Sequence, residues 1–188
     1  NQDLTAPVSS IAMPDTIDCG TFEVDLLGDV GPNPSPTYVY TWSTANGNIA
    51  SGTNVLNAIA DQAGTYTLQV LDSFNGCTAT STVEVTQDVI APNADAGFAQ
   101  TLDCNITEQA LDGSASSTGT EFTYLWTTVD GNIVNQQNTL NPTIDAPGTY
   151  ALLVTNTQNT CTDFAQIIVD EQIVPPIVEA GQNDTLNC

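Results

Sequence analysis

Apolar positions along this chain alternate with polar ones over short runs and never settle into a helical rhythm. Phe22, Val24 and Leu26 alternate with Glu23 and Asp25, and Tyr66, Leu68 and Val70 with Thr67 and Gln69. A period of two puts every second side chain on one face, the mark of a half-buried strand. The expected strands are one ending at Thr16–Cys19, Phe22–Leu26 (stopped by Gly28), Thr37–Trp42, one or two short ones within Ile49–Ile59, Gly64–Leu71 and Cys77–Val85. A second series is expected at Phe122–Trp126, Thr139–Ile144, Gly148–Val154 and Cys161–Val169. Asn46–Gly47, Asn75–Gly76 and Asp130–Gly131 supply tight turns from residue types that tolerate positive φ. Gly and Pro interrupt every longer segment, so no helix is expected.

The two series are one pattern written twice. Trp42 and Trp126, Gly47 and Gly131, Tyr66 and Tyr150, and Cys77 and Cys161 all recur 84 residues apart. Cys19 and Cys104 differ by 85, so one residue separates the copies between this Cys and the Trp. Repeats of this length mark arrays of small domains. The expected division is residues 1–90, residues 91–174, and residues 175–188 as the first strand of a third copy, which makes the chain a stretch of a longer array.

The best-preserved string is Asp61-Gln-Ala-Gly64-Thr-Tyr66, matched by Asp145-Ala-Pro-Gly148-Thr-Tyr150. An Asp, a Gly three residues on and a Tyr two beyond, opening an alternating strand, is the pattern of a tyrosine corner in immunoglobulin-like sandwiches. The fold class expected is therefore all-β, as tandem immunoglobulin-like β-sandwiches in an extended array. Trp42, Trp126, Tyr66 and Tyr150 are the predicted structural core.

The strings Pro92-Asn-Ala-Asp95-Ala-Gly97, Leu111-Asp-Gly-Ser114, Tyr124-Leu-Trp126 and Pro147-Gly-Thr-Tyr150 resemble PKD-type immunoglobulin-like repeats. More narrowly they are similar to the Thr- and Asn-rich arrays of giant surface adhesins in gliding and filamentous marine bacteria. The resemblance implies a stalk or adhesive filament at the cell surface.

Charge changes the picture. There are 22 acidic residues and no Lys, Arg or His, where average usage would supply on the order of 20 Lys and Arg. No side-chain ion pair can form within the chain. Direct contact with nucleic acid or an anionic membrane surface is excluded, since both need cationic side chains. Ser-His-Asp, Cys-His and Ser-Lys catalysis is impossible without His or Lys, and phosphoryl transfer lacks its Arg. Carboxylate pairs alone could cleave glycosides, but the acids here fall in repeated turns and linkers, so no enzyme is expected. The linker acids Asp88, Asp95, Asp130, Asp170, Glu171 and Glu179 are candidate calcium ligands, because Ca²⁺ takes carboxylate and carbonyl oxygens. Solvated surface acids are the alternative, and no calcium-loop motif is present.

Cys19, Cys77, Cys104, Cys161 and Cys188 sit at repeat-locked positions, which suggests disulfides formed in an oxidising, extracellular compartment. A zinc site is not expected, for want of His and of paired-Cys spacing. Two connectivities remain. One closes within each copy, as Cys19–Cys77 and Cys104–Cys161. The other links neighbours, as Cys19–Cys161, leaving Cys77 and Cys104 to reach adjacent copies. Sandwich topology puts the two turns of one copy at opposite ends, which slightly favours the second.

The functional expectation is a structural stalk or filament segment, partnered by adjacent repeats and bundled into a homo-oligomeric fibre. A module that itself binds carbohydrate or protein is the alternative, with Phe74, Phe98 and Phe164 as the exposed aromatic candidates.

Overall fold

A computed structural model describes residues 5–31 and 37–174. These residues form two compact units and no helix. Of the described residues, the first takes those up to Pro92 together with Thr155–Thr162, and the second takes Asn93–Val154 and those from Asp163 onward. The third-copy strand expected over 175–188 lies outside the described residues.

The first unit holds β1 (Ser10–Ile11), β2 (Ile17–Asp18), β3 (Val24–Asp29), β4 (Tyr38–Thr44), β5 (Ile49–Ser51), β6 (Asn57–Ala60), β7 (Gly64–Asp72), β8 (Thr78–Val85) and β9 (Gln87–Asp88). One sheet runs β1-β3-β6-β5, the other β4-β7-β8, and β2 pairs in parallel with β9. Between them lie Val24, Leu26, Trp42, Tyr66, Leu68 and Val70, all buried. This is an immunoglobulin-like sandwich: two sheets whose inward residues alternate with solvated ones. β3 does not stop at Gly28, because Gly28 and Asp29 pair with Ile11 and Ser10 of β1 and the ladder carries the strand through.

The second unit repeats the plan with β10 (Gln100–Asp103), β11 (Gln109–Ala110), β12 (Phe122–Thr128), β13 (Ile133–Asn135), β14 (Thr143–Ile144), β15 (Gly148–Asn156) and β16 (Thr162–Gln172). Its sheets are β11-β14-β13 and β10-β16-β15-β12. β16 covers in one strand what β8 and β9 cover in two. The strand expected over Thr139–Ile144 shrinks to β14, because the residues before it serve Trp126: its backbone N–H donates to Gln137 O and its Nε1–H to Thr139 O.

Both tyrosine corners form. The Tyr150 hydroxyl donates to Ala146 O at 2.6 Å and accepts from Asn132 N–H at 3.0 Å. Tyr66 does the same with Gln62 O and Asn48 N–H. Burial pushes both phenols above their usual pKa of 10.0. The corners also explain Gly47 and Gly131, which do not adopt the positive φ expected of them. A Cβ on either would run into the hydroxyl of Tyr66 or Tyr150, so the requirement is space beside the ring.

Candidate functional site

The feature that departs from a plain sandwich is the turn after β2. Asp18 Oδ1 accepts the N–H groups of Gly20 (2.8 Å) and Thr21 (2.7 Å), and Asp18 N–H closes the turn onto Thr21 O at 3.0 Å. An Asp side chain that bonds its own backbone two and three residues on is the usual way such a turn is fixed. The Gly20 amide, followed by Thr21 and the Thr160 hydroxyl, holds the Asp18 carboxyl below its usual 3.8. The turn presents Cys19.

Against it sits the hairpin between β15 and β16, counted in the first unit. Cys19 and Cys161 form a disulfide across 142 residues, with S–S 2.00 Å and Cα atoms 5.0 Å apart. Cys161 is fully buried. Cys19 N–H donates to Asn159 O at 3.1 Å. Asn159 is the pivot of the arrangement and is 2% exposed. Its Nδ2 donates to Asp88 Oδ1 and to Ile90 O, both at 3.0 Å, while its Oδ1 accepts from Cys161 N–H at 3.1 Å. Every polar atom of that buried carboxamide is used, which is what burial of an amide demands.

Thr160 has φ +58°, a left-handed conformation that a β-branched residue rarely takes. Its hydroxyl lies where a Cβ on Gly20 would be, 2.7 Å away, so Gly20 is the residue that makes room for it. A surface cleft of about 570 Å³ opens beside the turn, with Ile17, Phe22 and Val89 as apolar walls and Glu23 and Asp61 as acids.

The within-copy pairings Cys19–Cys77 and Cys104–Cys161 are replaced by this bond, and the register gives the reason. Asp18 pairs with Asp88, so Cys19 sits at the far end of β8–β9 from Cys77. Ten strand residues span about 33 Å, several times what a disulfide bridges. Asp103 likewise pairs with Gln172, at the end of β16 opposite Cys161. Cys77 and Cys104 are free thiols in this chain. Cys188 lies outside the described residues.

Three of the candidate calcium ligands are locally engaged. Asp88 accepts from Asn159 and from Ile90 N–H (3.3 Å), Asp95 Oδ1 from Gly97 N–H (2.7 Å), and Asp130 Oδ1 from Thr149 N–H (2.7 Å). Asp170 and Glu171 stand exposed on β16 opposite Thr101 and Leu102. Glu179 is outside the described residues. Among the described residues no three His, Cys, Asp or Glu side chains converge. Phe74, Phe98 and Phe164 are exposed, at 78%, 90% and 67%, on unrelated parts of the two copies.

Sequence reasoning missed Asn159. The signal was present: Asn75-Gly-Cys77 and Asn159-Thr-Cys161 hold the same spacing in both copies.

No known protein-family profile matches the chain, and neither does any curated protein sequence. Among solved structures it is similar to extracellular domains 3–5 of Drosophila OTK, at 12% identity over 88% of this chain and 62% of that one, TM-score 0.43. A titin I-band fragment aligns at 10% identity over 90% of this chain and 67% of that one, TM-score 0.44. The three N-terminal domains of the bacteriophage RB49 highly immunogenic outer capsid protein align at 17% identity over 88% and 58%, TM-score 0.41. The chain thus spans 62% of the OTK structure's length and 67% of the titin fragment's.

Proposed function

We propose that the chain is a load-bearing spacer, a stalk or filament segment of a large extracellular repeat adhesin that holds a distal binding surface away from a cell. One observation carries this reading: in each unit a strand near the start pairs in parallel with the unit's last strand. Ile17–Asp18 lies along Gln87–Asp88, and Gln100–Asp103 along Val169–Gln172. The chain arrives at one end of such a pair and departs at the other. Once the Cys19–Cys161 bond is reduced, tension along the chain loads these ladder bonds in shear, all together, instead of peeling them one after another; while it is closed, the bond itself carries the load past residues 20–160. The Cys19–Cys161 bond suits an oxidising exterior. A charge of −22 with no cationic side chain keeps neighbouring segments soluble and apart.

Single-molecule stretching tests the reading. The reduced chain pulled through its termini should resist severalfold more force than when pulled through handles at Thr37 and Ser73, which flank one end of the antiparallel β4–β7 ladder and so peel it. Equal forces in the two geometries would remove the mechanical role. Saturable binding on a glycan array would favour the ligand-binding alternative instead.

A further inference from the structure

Among the described residues the cysteine turn and the cysteine hairpin each exist twice, and one of each is joined. The turn at Cys104 is built as the turn at Cys19 is. Asp103 Oδ1 accepts from Asn105 N–H (2.7 Å) and Ile106 N–H (2.8 Å), and Asp103 N–H donates to Ile106 O at 3.1 Å. Cys104 is exposed. The hairpin at Cys77 is built as the hairpin at Cys161 is. Asn75 Oδ1 accepts from Cys77 N–H at 2.8 Å, and Asp72 N–H donates to Cys77 O at 2.9 Å, as Asn156 N–H does to Cys161 O.

The Cys77 hairpin also holds its own linker. Asn75 Nδ2 donates to Thr5 O at 3.0 Å. Thr5 stands 85 residues before Ile90, the spacing of Cys19 and Cys104, so this bond is the counterpart of Asn159 Nδ2 to Ile90 O. The hairpin already grips its own incoming linker as the joined hairpin does.

Side-chain size says which hairpin suits which turn. In the joined pair Gly20 yields the space that Thr160 fills. In the unjoined halves the sizes are exchanged: Asn105 stands at the place of Gly20, and Gly76, at φ +77°, at the place of Thr160. A hairpin of the Thr160 type would set two side chains against each other at the Cys104 turn, whereas one of the Gly76 type would set one.

We infer that the Cys104 turn is the docking and disulfide site for a Cys77-type hairpin from the next copy of this repeat in series. Each junction is then clamped by a bond of the Cys19–Cys161 kind, and the pairs Gly20/Thr160 and Asn105/Gly76 keep successive junctions in register. The bond forms by exchange with a small-molecule disulfide. One Cys thiolate attacks it and releases a small thiol, and the second Cys thiolate displaces the other. Two protein thiols lose two protons and two electrons, and one small disulfide becomes two small thiols.

The test is a fusion of residues 1–175 to a second copy beginning at Pro7, refolded in a glutathione redox buffer and mapped by non-reducing peptide mass spectrometry. The inference expects a disulfide between Cys104 and the appended copy's Cys77, beside Cys19–Cys161 in both copies. It is overturned if Cys19–Cys161 forms in both copies while Cys104 stays fully alkylatable. Gly76→Thr in the appended copy should lower the equilibrium constant of that bond about tenfold, as overpacking does, and Asn105→Gly should restore it. Equal bond formation with and without Gly76→Thr would overturn the size rule.

Discussion

The turns at Asp18–Thr21 and Asp103–Ile106 share their Asp cap, their backbone bonds and their Cys, yet one Cys is bonded and the other is an exposed thiol. Gly20 in one and Asn105 in the other set which hairpin fits, but that size change does not by itself account for the difference. It lies in what has been brought to the turn: the Cys19 turn faces the hairpin Thr155–Thr162, which belongs to its own compact unit. Local sequence builds the half-site, and only a second element makes it a site.

The largest test of the likeness between the copies is in the cores. Trp42→Ala and Trp126→Ala should each cost about 3–5 kcal/mol, by removing the largest buried side chain between the sheets and orphaning the carbonyls its Nε1–H serves. Denaturant unfolding followed by circular dichroism measures both, and clearly unequal costs would show that the two sandwiches are not equivalent.

The next test separates the turns. Cys19→Ser should cost about 2–4 kcal/mol in the oxidised protein, through the lost cross-link over 142 residues. Cys104→Ser should change the stability of this chain by less than about 0.5 kcal/mol, as an exposed substitution does. Equal costs in unfolding titrations would erase the difference between the two turns.

The smallest effect concerns the corners at high pH. Both phenols ionise above 10.0 in the folded protein, so the unfolded chain loses its protons first. Corner stability is therefore complete below pH 10 and falls as pH rises through the folded value. Beyond burial, the charges of Asp145 and Asp130 raise Tyr150, whereas the charge of Asp61 raises Tyr66. Asn46 holds the place of Asp130 in the first copy, where its Oδ1 accepts from Thr65 N–H at 2.9 Å. Asp130→Asn should thus move the Tyr150 titration down and leave Tyr66 alone, as read by ultraviolet difference titration. A shift in both, or in neither, would break this contrast.

Much of this was legible before the structure. Tyr66 and Tyr150 declared the corner because its bonds run to backbone four residues upstream, within reach of a short string of sequence. The alternation around Leu68 and Leu152 declared the buried faces for the same reason. Gly47 was read for the wrong cause, since the ring that crowds it comes from 19 residues later in the chain. Asn159 passed unnoticed as one Asn among many, because its partners Asp88 and Ile90 are about 70 residues away. Of the described linker acids, Asp88, Asp95 and Asp130 accept from nearby N–H groups, and Asp170 and Glu171 stand exposed on β16.

By itself, then, the sequence determined the repeat, the all-β class, the corners and the absence of any cationic side chain, because each follows from local periodicity or from composition. Tertiary structure alone decided which cysteines meet, what Gly20 and Gly47 make room for, and why Asn159 is buried. Those are questions of distance between residues far apart in the chain, and only the packed sheets set such distances.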